Sequence, residues 1–400
     1  MEHDRLIHVS IGNSRLSKEW IQSEFLWSEF VAKLQMPQRS AETFEEFQKL
    51  SKADQGKLKD VGGFVGGTLS GKQRKANAVT GRDLVTLDLD NIASGETDHV
   101  IRKIESLNIA YAVYSTRSHA EYRPRLRVVI PLSETITADE YEPVARKIAS
   151  YVGMELCDPT TFEASRLMYW PSCSKDAQYV FRVTDNGFVD PKALLQLYDD
   201  WTDVSTWPQV PGSPDSLRAK TLLAKQQDPT TKHGVVGAFC RTYDILAAID
   251  TFIPNAYEET NSDDRLTYTG GTTVAGAVLY DNGKFLFSHH ATDPCSGQLV
   301  NAFDLIRLHK FSDLDADAKD GTPVVRMPSY MAMQKLALAD ETVAAELNLE
   351  RVKHSYDVFS KIEPTEEPAG QEKPTLDDVS WMRTAGLQTG EGGAYKKNSR

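Results

Sequence analysis

The sequence predicts a mixed α+β (α/β) fold, a strand-and-helix core followed by a smaller β-rich unit. Three observations lead to it. From Leu84 to about Phe181, apolar strand-like runs alternate with amphipathic helical stretches, the pattern of a sheet flanked by helices. Residues 201–232 hold Pro208, Pro211, Pro214 and Pro229 with little periodicity, which reads as a linker. Beyond it, from His233 to about Lys310, short strand-like runs dominate.

The elements follow in order. Residues 14–60 read as helical, with Trp20, Trp27, Phe30, Leu34, Phe44 and Phe47 as apolar faces among charges. VGGFVGGTLSGKQRK, from Val61, is glycine-rich and ends basic. After an apolar strand from Leu84 comes a helix with Val100, Ile101, Ile104 and Leu107 on one side. Strands AYAVYST (110–116) and LRVVIPL (126–132) flank a polar loop. The next helix opens at Thr137 with Glu140 three residues on, a capping-box spacing, and buries Tyr141, Val144, Ala145, Ile148 and Val152. The expected domains are 1–200, a catalytic unit with a helical N-terminal region; 201–232, linker; 233–320, a small accessory unit; and 321–362, a helical segment. Residues 363–400 begin acidic and proline-rich (EPTEEPAGQEKP), a flexible connection that does not read as a domain end.

Composition narrows the function classes. The chain has 400 residues, 40% hydrophobic and 26% charged, the profile of an ordinary soluble globular protein. No apolar run approaches a membrane span, and the charged start MEHDRLIH is not a signal peptide. Cys157, Cys173, Cys240 and Cys295 lack CxxC spacing, which argues for a reducing cytoplasm and against both disulfides and a four-cysteine zinc site. A net charge of −12 disfavours nucleic acid on average. Local basic clusters override an average, and two exist: Lys72-Gln73-Arg74-Lys75, and the arginines at 117, 123, 125 and 127.

The stretch DLVTLDLDN, Asp83 to Asn91, raises the chemical question. Asp88 and Asp90 end an apolar strand in alternate positions, so their carboxylates share one face roughly 7 Å apart. Like charges so placed repel unless a cation removes the repulsion, and hard divalent ions such as Mg²⁺ or Mn²⁺ take oxygen ligands of this kind. Haloacid dehalogenase chemistry uses a similar pair but then places Thr or Val, where Asn91 and Ile92 stand here. Two-metal phosphoryl transfer fits better. His119 ends the loop that follows, and Arg125 and Arg127 share one face of the next strand; two guanidiniums and an imidazole beside a metal-binding strand suit a triphosphate. Taken alone, those arginines are equally a solvated edge strand, and Asp158 before Pro159 is equally a turn aspartate.

Together TLDLD, STRSH and the later Asp158 resemble the archaeo-eukaryotic primase superfamily, whose signature is an apolar-Asp-x-Asp strand, a His-ending loop and a later metal-binding acid. KDVGGFVGG, LDLD, PRLRVVIPL and SRLMYWPS resemble more closely the primase-like N-terminal part of phage and plasmid virulence-associated E family replication proteins, over most of residues 10–310. The resemblance implies a primase-polymerase-type mixed sheet and a template-directed nucleotidyltransferase. Two divalent ions, Mg²⁺ or Mn²⁺, would sit on Asp88, Asp90 and Asp158, with Glu163 the alternative third acid. His119, Arg125, Arg127, Ser165 and Arg166 would hold the nucleoside triphosphate. It also implies single-stranded DNA as template and a AAA+ helicase domain or subunit as partner. A catalytically silent DNA-binding initiator module, or a metal-dependent phosphatase or nuclease, is the alternative.

GGTLSGKQ (66–73) imitates a Walker A loop, but Gln73 stands where Ser or Thr would meet Mg²⁺. Its glycines suit a close backbone approach, and Lys72, Arg74 and Lys75 are candidates for contact with a template backbone. In the second unit, FLFSHHATDPCSGQLVNAFDLIRLHKF places His289, His290 and Cys295 close together, in the shape of a primase zinc ribbon. The matching upstream stretch LTYTGGTTVAG has no cysteine or histidine, so zinc is not expected there.

Overall fold

The chain opens with an antiparallel hairpin, β1 (Leu6–Gly12) and β2 (Ile21–Leu26), in register from Leu6↔Leu26 to Ile11↔Ile21. In this computed structural model, residues 1–211, 222–318, 322–359, 387–389 and 395–397 are described. The expectation of helix throughout 14–60 is corrected here. Along β2, half-buried Ser23 and Phe25 alternate with exposed Gln22 and Glu24, the period of a strand with one covered face. Helix begins at α1 (Trp27–Gln35), whose buried Trp27, Phe30, Val31 and Leu34 fall at i, i+3, i+4 and i+7. A short β3 (Gln38–Arg39) precedes α2 (Phe44–Lys49), capped by Thr43, and α3 (Lys52–Lys59), capped by Ser51.

Strands β4 (Gly63–Val65) and β5 (Gly67–Leu69) lead into β6 (Val79–Leu89). The glycine at 67 answers a steric need: a Cβ there would stand 1.9 Å from the Gly81 carbonyl oxygen. The close approach expected of this loop is therefore to a neighbouring strand. Helix α4 (Thr97–Glu105), β7 (Tyr111–Ser115), β8 (Leu126–Ile136) and α5 (Ala138–Val152) follow. The Thr137/Glu140 capping box of α5 is complete. Short β9 (Met168–Tyr169), β10 (Ser172–Cys173), β11 (Phe181–Thr184) and α6 (Pro191–Leu195) finish the first half. Two main sheets result, of order β2-β1-β4-β9 and β11-β7-β8-β6-β5, while β3 pairs with β10.

The central strands are buried on both faces, and their alternation divides them between two cores. Val85, Leu87, Leu89, Val113, Leu126, Val128 and Ile130 pack against α4 and α5. Leu84, Ala112, Tyr114 and Val129 face the other way, onto Ile7, Val9, Trp27 and Phe30. By the same alternation Asp88 on β6, Asp90 just past its end and Arg127 on β8 fall on the second of these faces.

Of the predicted linker 201–232, residues 212–221 lie outside the described residues, and what precedes them is packed. Val204, Trp207 and Val210 are buried, and Asp203 bridges to Val274. The second half then forms α7 (Val235–Thr242), α8 (Ile245–Phe252) and an antiparallel meander in sequence order: β12 (Tyr257–Glu259), β13 (Arg265–Tyr268), β14 (Ala277–Tyr280), β15 (Phe285–Ser288) and β16 (Leu299–Asn301). With α9 (Ala302–Phe311), α10 (Pro328–Ala339) and the start of α11 (Glu341–Phe359) it encloses a separate core around Phe239, Leu286, Phe303 and Met333. This is a five-stranded meander with helical cover rather than a bare ribbon. Asp139, at the start of α5, accepts from the amide (2.8 Å) and hydroxyl (2.9 Å) of Thr272 and so ties the two halves.

The chain divides into two units, Met1–Glu350 and Arg351–Arg400. The second contains, among its described residues, the end of α11 and an antiparallel pair, Leu387–Thr389 with Tyr395–Lys397. The rest of the expected flexible connection at 363–400 lies outside the described residues. Among the described residues no helix is long and apolar enough to cross a membrane.

Candidate active site

Asp88 and Asp90 stand where β6 leaves the sheet, and a second segment is laced to that end. The Asp158 amide donates to the Asp88 carbonyl (2.8 Å), and the Asp90 and Asn91 amides donate to the Leu156 carbonyl (3.1 and 3.2 Å). The Asp88 amide donates to the Thr161 hydroxyl (2.9 Å), which itself donates to the Thr86 carbonyl (3.0 Å). Asp158 is thus the acid held in register with the β6 pair. Glu163 lines a different hollow, of about 230 Å³, together with Ser165, His289 and Arg146. From behind, the buried guanidinium of Arg82 donates to the carbonyls of Ala164 (2.5 Å) and Leu84 (2.8 Å) and lies 3.9 Å over the Tyr141 ring.

Each of the three acids faces an arginine. Asp90 accepts from Arg125 (2.7 Å), Asp88 lies 3.5 Å from Arg127, its partner in register on β8, and Asp158 lies 3.3 Å from Arg166. Burial pushes the Asp90 carboxyl above its usual range and the neighbouring Asp88 adds to this, against the pull of Arg125. These pairs leave capacity unused: Asp88 Oδ1 and the Nε atoms of Arg125, Arg127 and Arg166 are buried without a hydrogen-bond partner. An orphaned carboxylate oxygen among three carboxylates fits a hard divalent cation, and orphaned guanidinium donors fit an anion.

Asp88, Asp90, Arg125 and Arg127 line one cavity of about 150 Å³ with Lys59, Tyr114, Thr116, Arg117, Tyr169 and Trp170. His119 is buried beside it. Its Nδ1 accepts from the Arg125 amide (3.1 Å), which leaves Nε2 as the protonated donor, and burial pushes the imidazole below its usual pKa. Arg117 serves the frame: it pairs with Glu42 and lies 5.1 Å over the Phe47 ring. Sequence reasoning missed Lys59, which the last turn of α3 brings to the cavity. Burial and nearby Arg125 push its ammonium below the usual range, while Asp90 opposes them. Only its place in a basic run (KLK) hinted at it.

The other predicted residues lie elsewhere. Arg74 and Lys75 line a groove of about 540 Å³ with Arg15, Lys18, Trp20, Arg307, Asp313 and Asp315. Arg74 stacks 5.3 Å over Trp20 and donates to the Ser165 carbonyl (3.0 Å). Lys72 is exposed and paired with Glu19 (2.8 Å). His290, considered for zinc, is a satisfied core residue, with Nε2 accepting from the Tyr268 amide (3.1 Å) and Nδ1 2.6 Å from the Thr273 hydroxyl. His289 packs on Phe287, ring centroids 4.8 Å apart.

Comparison with known proteins gives one family. Residues 1–210 match the profile of the VapE N-terminal domain. No curated protein matches the chain in sequence. Among solved structures, the AEP domain of the cyanophage S-2L primase-polymerase is 12% identical with a TM-score of 0.27, covering 48% of this chain and 87% of its own. The primase RepB′ is 7% identical with a TM-score of 0.27, covering 87% of this chain and 94% of its own.

Proposed function

We propose that this chain, which belongs to the family of the VapE N-terminal domain, is a template-directed nucleotidyltransferase that makes or extends primers in a replication system. The observation that carries the reading is a set of three carboxylate–arginine pairs, two of which (Asp88–Arg127 and Asp90–Arg125) line one cavity while Asp158–Arg166 is laced to the same strand end, with Asp88 Oδ1 and three guanidinium Nε atoms left unpartnered. Most buried polar atoms are paired, although orphans also stand on the framework, at Asp139 Oδ1 and the Nε atoms of Arg5, Arg74 and Arg117. At this site both an acceptor and donors are held in reserve.

Asp88, Asp90 and Asp158 would hold Mg²⁺ or Mn²⁺, which when bound supply Lewis-acid stabilisation of an in-line displacement at phosphorus. The remaining work falls to the chain. In the free enzyme, Arg125, Arg127 and Arg166 keep the three acids from repelling one another. With a nucleotide present, their guanidiniums turn to its phosphate oxygens, and Lys59 and neutral His119, through Nε2–H, add donors. The hydroxyl of a primer terminus or a first nucleotide attacks the α-phosphorus, the bond to the β-phosphate oxygen breaks, and pyrophosphate leaves into the cationic wall. Tyr169 and Trp170 narrow the cavity against water. Single-stranded template would follow the groove of Arg15, Lys18, Arg74 and Lys75, whose Trp20 offers a ring for base stacking.

The test is incubation with single-stranded DNA, Mg²⁺ or Mn²⁺ and labelled nucleotides, with and without a primer. Template-dependent incorporation that Asp88→Ala abolishes supports the reading. Release of inorganic phosphate without incorporation would mean a phosphatase using the same acids, and template binding without either product a silent module.

A further inference from the structure

The second core contains a cluster of polar side chains that the site above does not use. Asp293 and Cys295 stand on the loop between β15 and β16, His309 on α9 and Tyr257 on β12. Asp293 and Cys295 are fully buried, and the His309 side chain is only 6% exposed. Their polar atoms converge on one point. Asp293 Oδ1 lies 3.1 Å from Cys295 Sγ and 3.3 Å from His309 Nε2. The Tyr257 hydroxyl lies 2.7 Å from Asp293 Oδ2, 3.0 Å from His309 Nε2 and 3.5 Å from Cys295 Sγ.

Two features distinguish this from an ordinary buried hydrogen-bond network. A tetrahedral ion with bonds of about 2.0–2.3 Å separates its ligand atoms by roughly 3.3–3.7 Å. The His309 Nε2–Asp293 Oδ1 (3.3 Å) and Tyr257 hydroxyl–Cys295 Sγ (3.5 Å) edges match that spacing, and the Cys295 Sγ–Asp293 Oδ1 (3.1 Å) and Tyr257 hydroxyl–His309 Nε2 (3.0 Å) edges fall just short of it. The donors are one thiol sulfur, one imidazole nitrogen and one carboxylate oxygen, each within 4.8 Å of the others, the mixed soft and hard set that borderline transition ions take. The loop also presets them. The Cys295 amide donates to Asp293 Oδ1 (2.9 Å), the Gln298 amide to the Cys295 carbonyl (3.1 Å), and Gly297, at φ +70°, donates to the Ser288 carbonyl (2.8 Å).

We propose that Asp293, Cys295 and His309 bind one zinc-class ion, with the Tyr257 hydroxyl closing the fourth position. The burial leaves no open coordination place, so the site is structural: it ties a loop, a strand and a helix of the small core. The ribbon pattern sought in the sequence overlooked it because two of the four groups are neither cysteine nor histidine, and because the histidine it needs is His309 rather than His289 or His290. The site is independent of the nucleotidyl-transfer reading.

The experiment uses the full chain. Metal content after exhaustive dialysis should show about one zinc per chain, and extraction by a strong chelator should lower the thermal midpoint, restored by added Zn²⁺. Refilling the extracted protein with Co²⁺ should give a thiolate-to-cobalt charge-transfer band and tetrahedral visible absorption. Cys295→Ser should lose the band and the metal, whereas His289→Gln should keep both. Wild-type protein that carries no metal and shows no cobalt band overturns the site without recourse to any variant. So does a Cys295→Ser chain that keeps the full metal content.

Discussion

Asp83 and Asp88 stand on one strand, the first near its middle and the second near its end, and are treated differently by the fold. Asp83, fully buried near the middle of β6, has both oxygens taken. The amide (2.6 Å) and ring Nδ1 (2.8 Å) of His8 meet Oδ2, and Arg5 (2.7 Å) and the Thr135 hydroxyl meet Oδ1. Asp88 has an arginine too, at 3.5 Å, but one of its oxygens meets nothing. A cationic partner is therefore not what separates a structural carboxylate from a functional one. Between these two the difference is saturation: Asp83 has spent its lone pairs on the protein, and Asp88 keeps one oxygen for something that arrives.

The largest expected effect lies at the open end. Asp88→Ala or Asp90→Ala should lower nucleotide incorporation by about a thousand-fold or more, the scale of losing a preorganised electrostatic stabiliser, while thermal stability holds or rises because a crowded like charge is gone. A loss of stability instead would erase the contrast with Asp83. At the sealed position, Asp83→Asn should destabilise the fold by about 3–5 kcal/mol, since it leaves Arg5 and its neighbours around a missing charge. Denaturant titration measures this, and the folded fraction should keep its nucleotide affinity.

Arg125→Ala and Arg127→Ala should each weaken nucleotide binding by about 1.5–3 kcal/mol, as charged hydrogen bonds do, read by equilibrium titration with a non-hydrolysable nucleotide. Single-stranded DNA affinity lost in place of nucleotide affinity would assign them to the template path. The smallest effect is a matter of pH. Burial alone would raise the Asp83 carboxyl, but the Thr135 and His8 hydrogen bonds and the Arg5 charge outweigh it and hold it below its usual range. Its contribution is therefore complete above the ordinary aspartate pKa of about 3.9 and is lost as pH falls through the depressed folded value. The stability gap between wild type and Asp83→Asn should be constant near neutrality and close in acid.

Much of this was legible beforehand. The β6 acids, the alternating β8 arginines, the apolar face of α4 and the α5 capping box each rest on local spacing that a sequence displays directly. What escaped depends on partners far along the chain. The β2 strand looks helical until β1 is known to lie beside it, and Lys59 joins the cavity only because α3 ends there. Trp207 reads as linker until Trp201 and the first core receive it. Asp293 and His309 escaped because a search for cysteines and histidines weighs neither a carboxylate nor a histidine placed on a later helix.

The lacing of residues 156–161 to the end of β6 also has a consequence in time. The Asp88 amide and the Thr161 hydroxyl that receives it are 73 positions apart, and contacts at such separation close late because loop entropy must be overcome first. A ribosome adding about 5–20 residues per second needs roughly 4–15 s to make that interval. For those seconds the nascent chain carries β6 with its two aspartates and no third acid, and its apolar faces await α5. The metal-binding face is then among the last parts of the first half to be completed during synthesis, and a chain released before Thr161 carries the two β6 aspartates without the segment that sets their position.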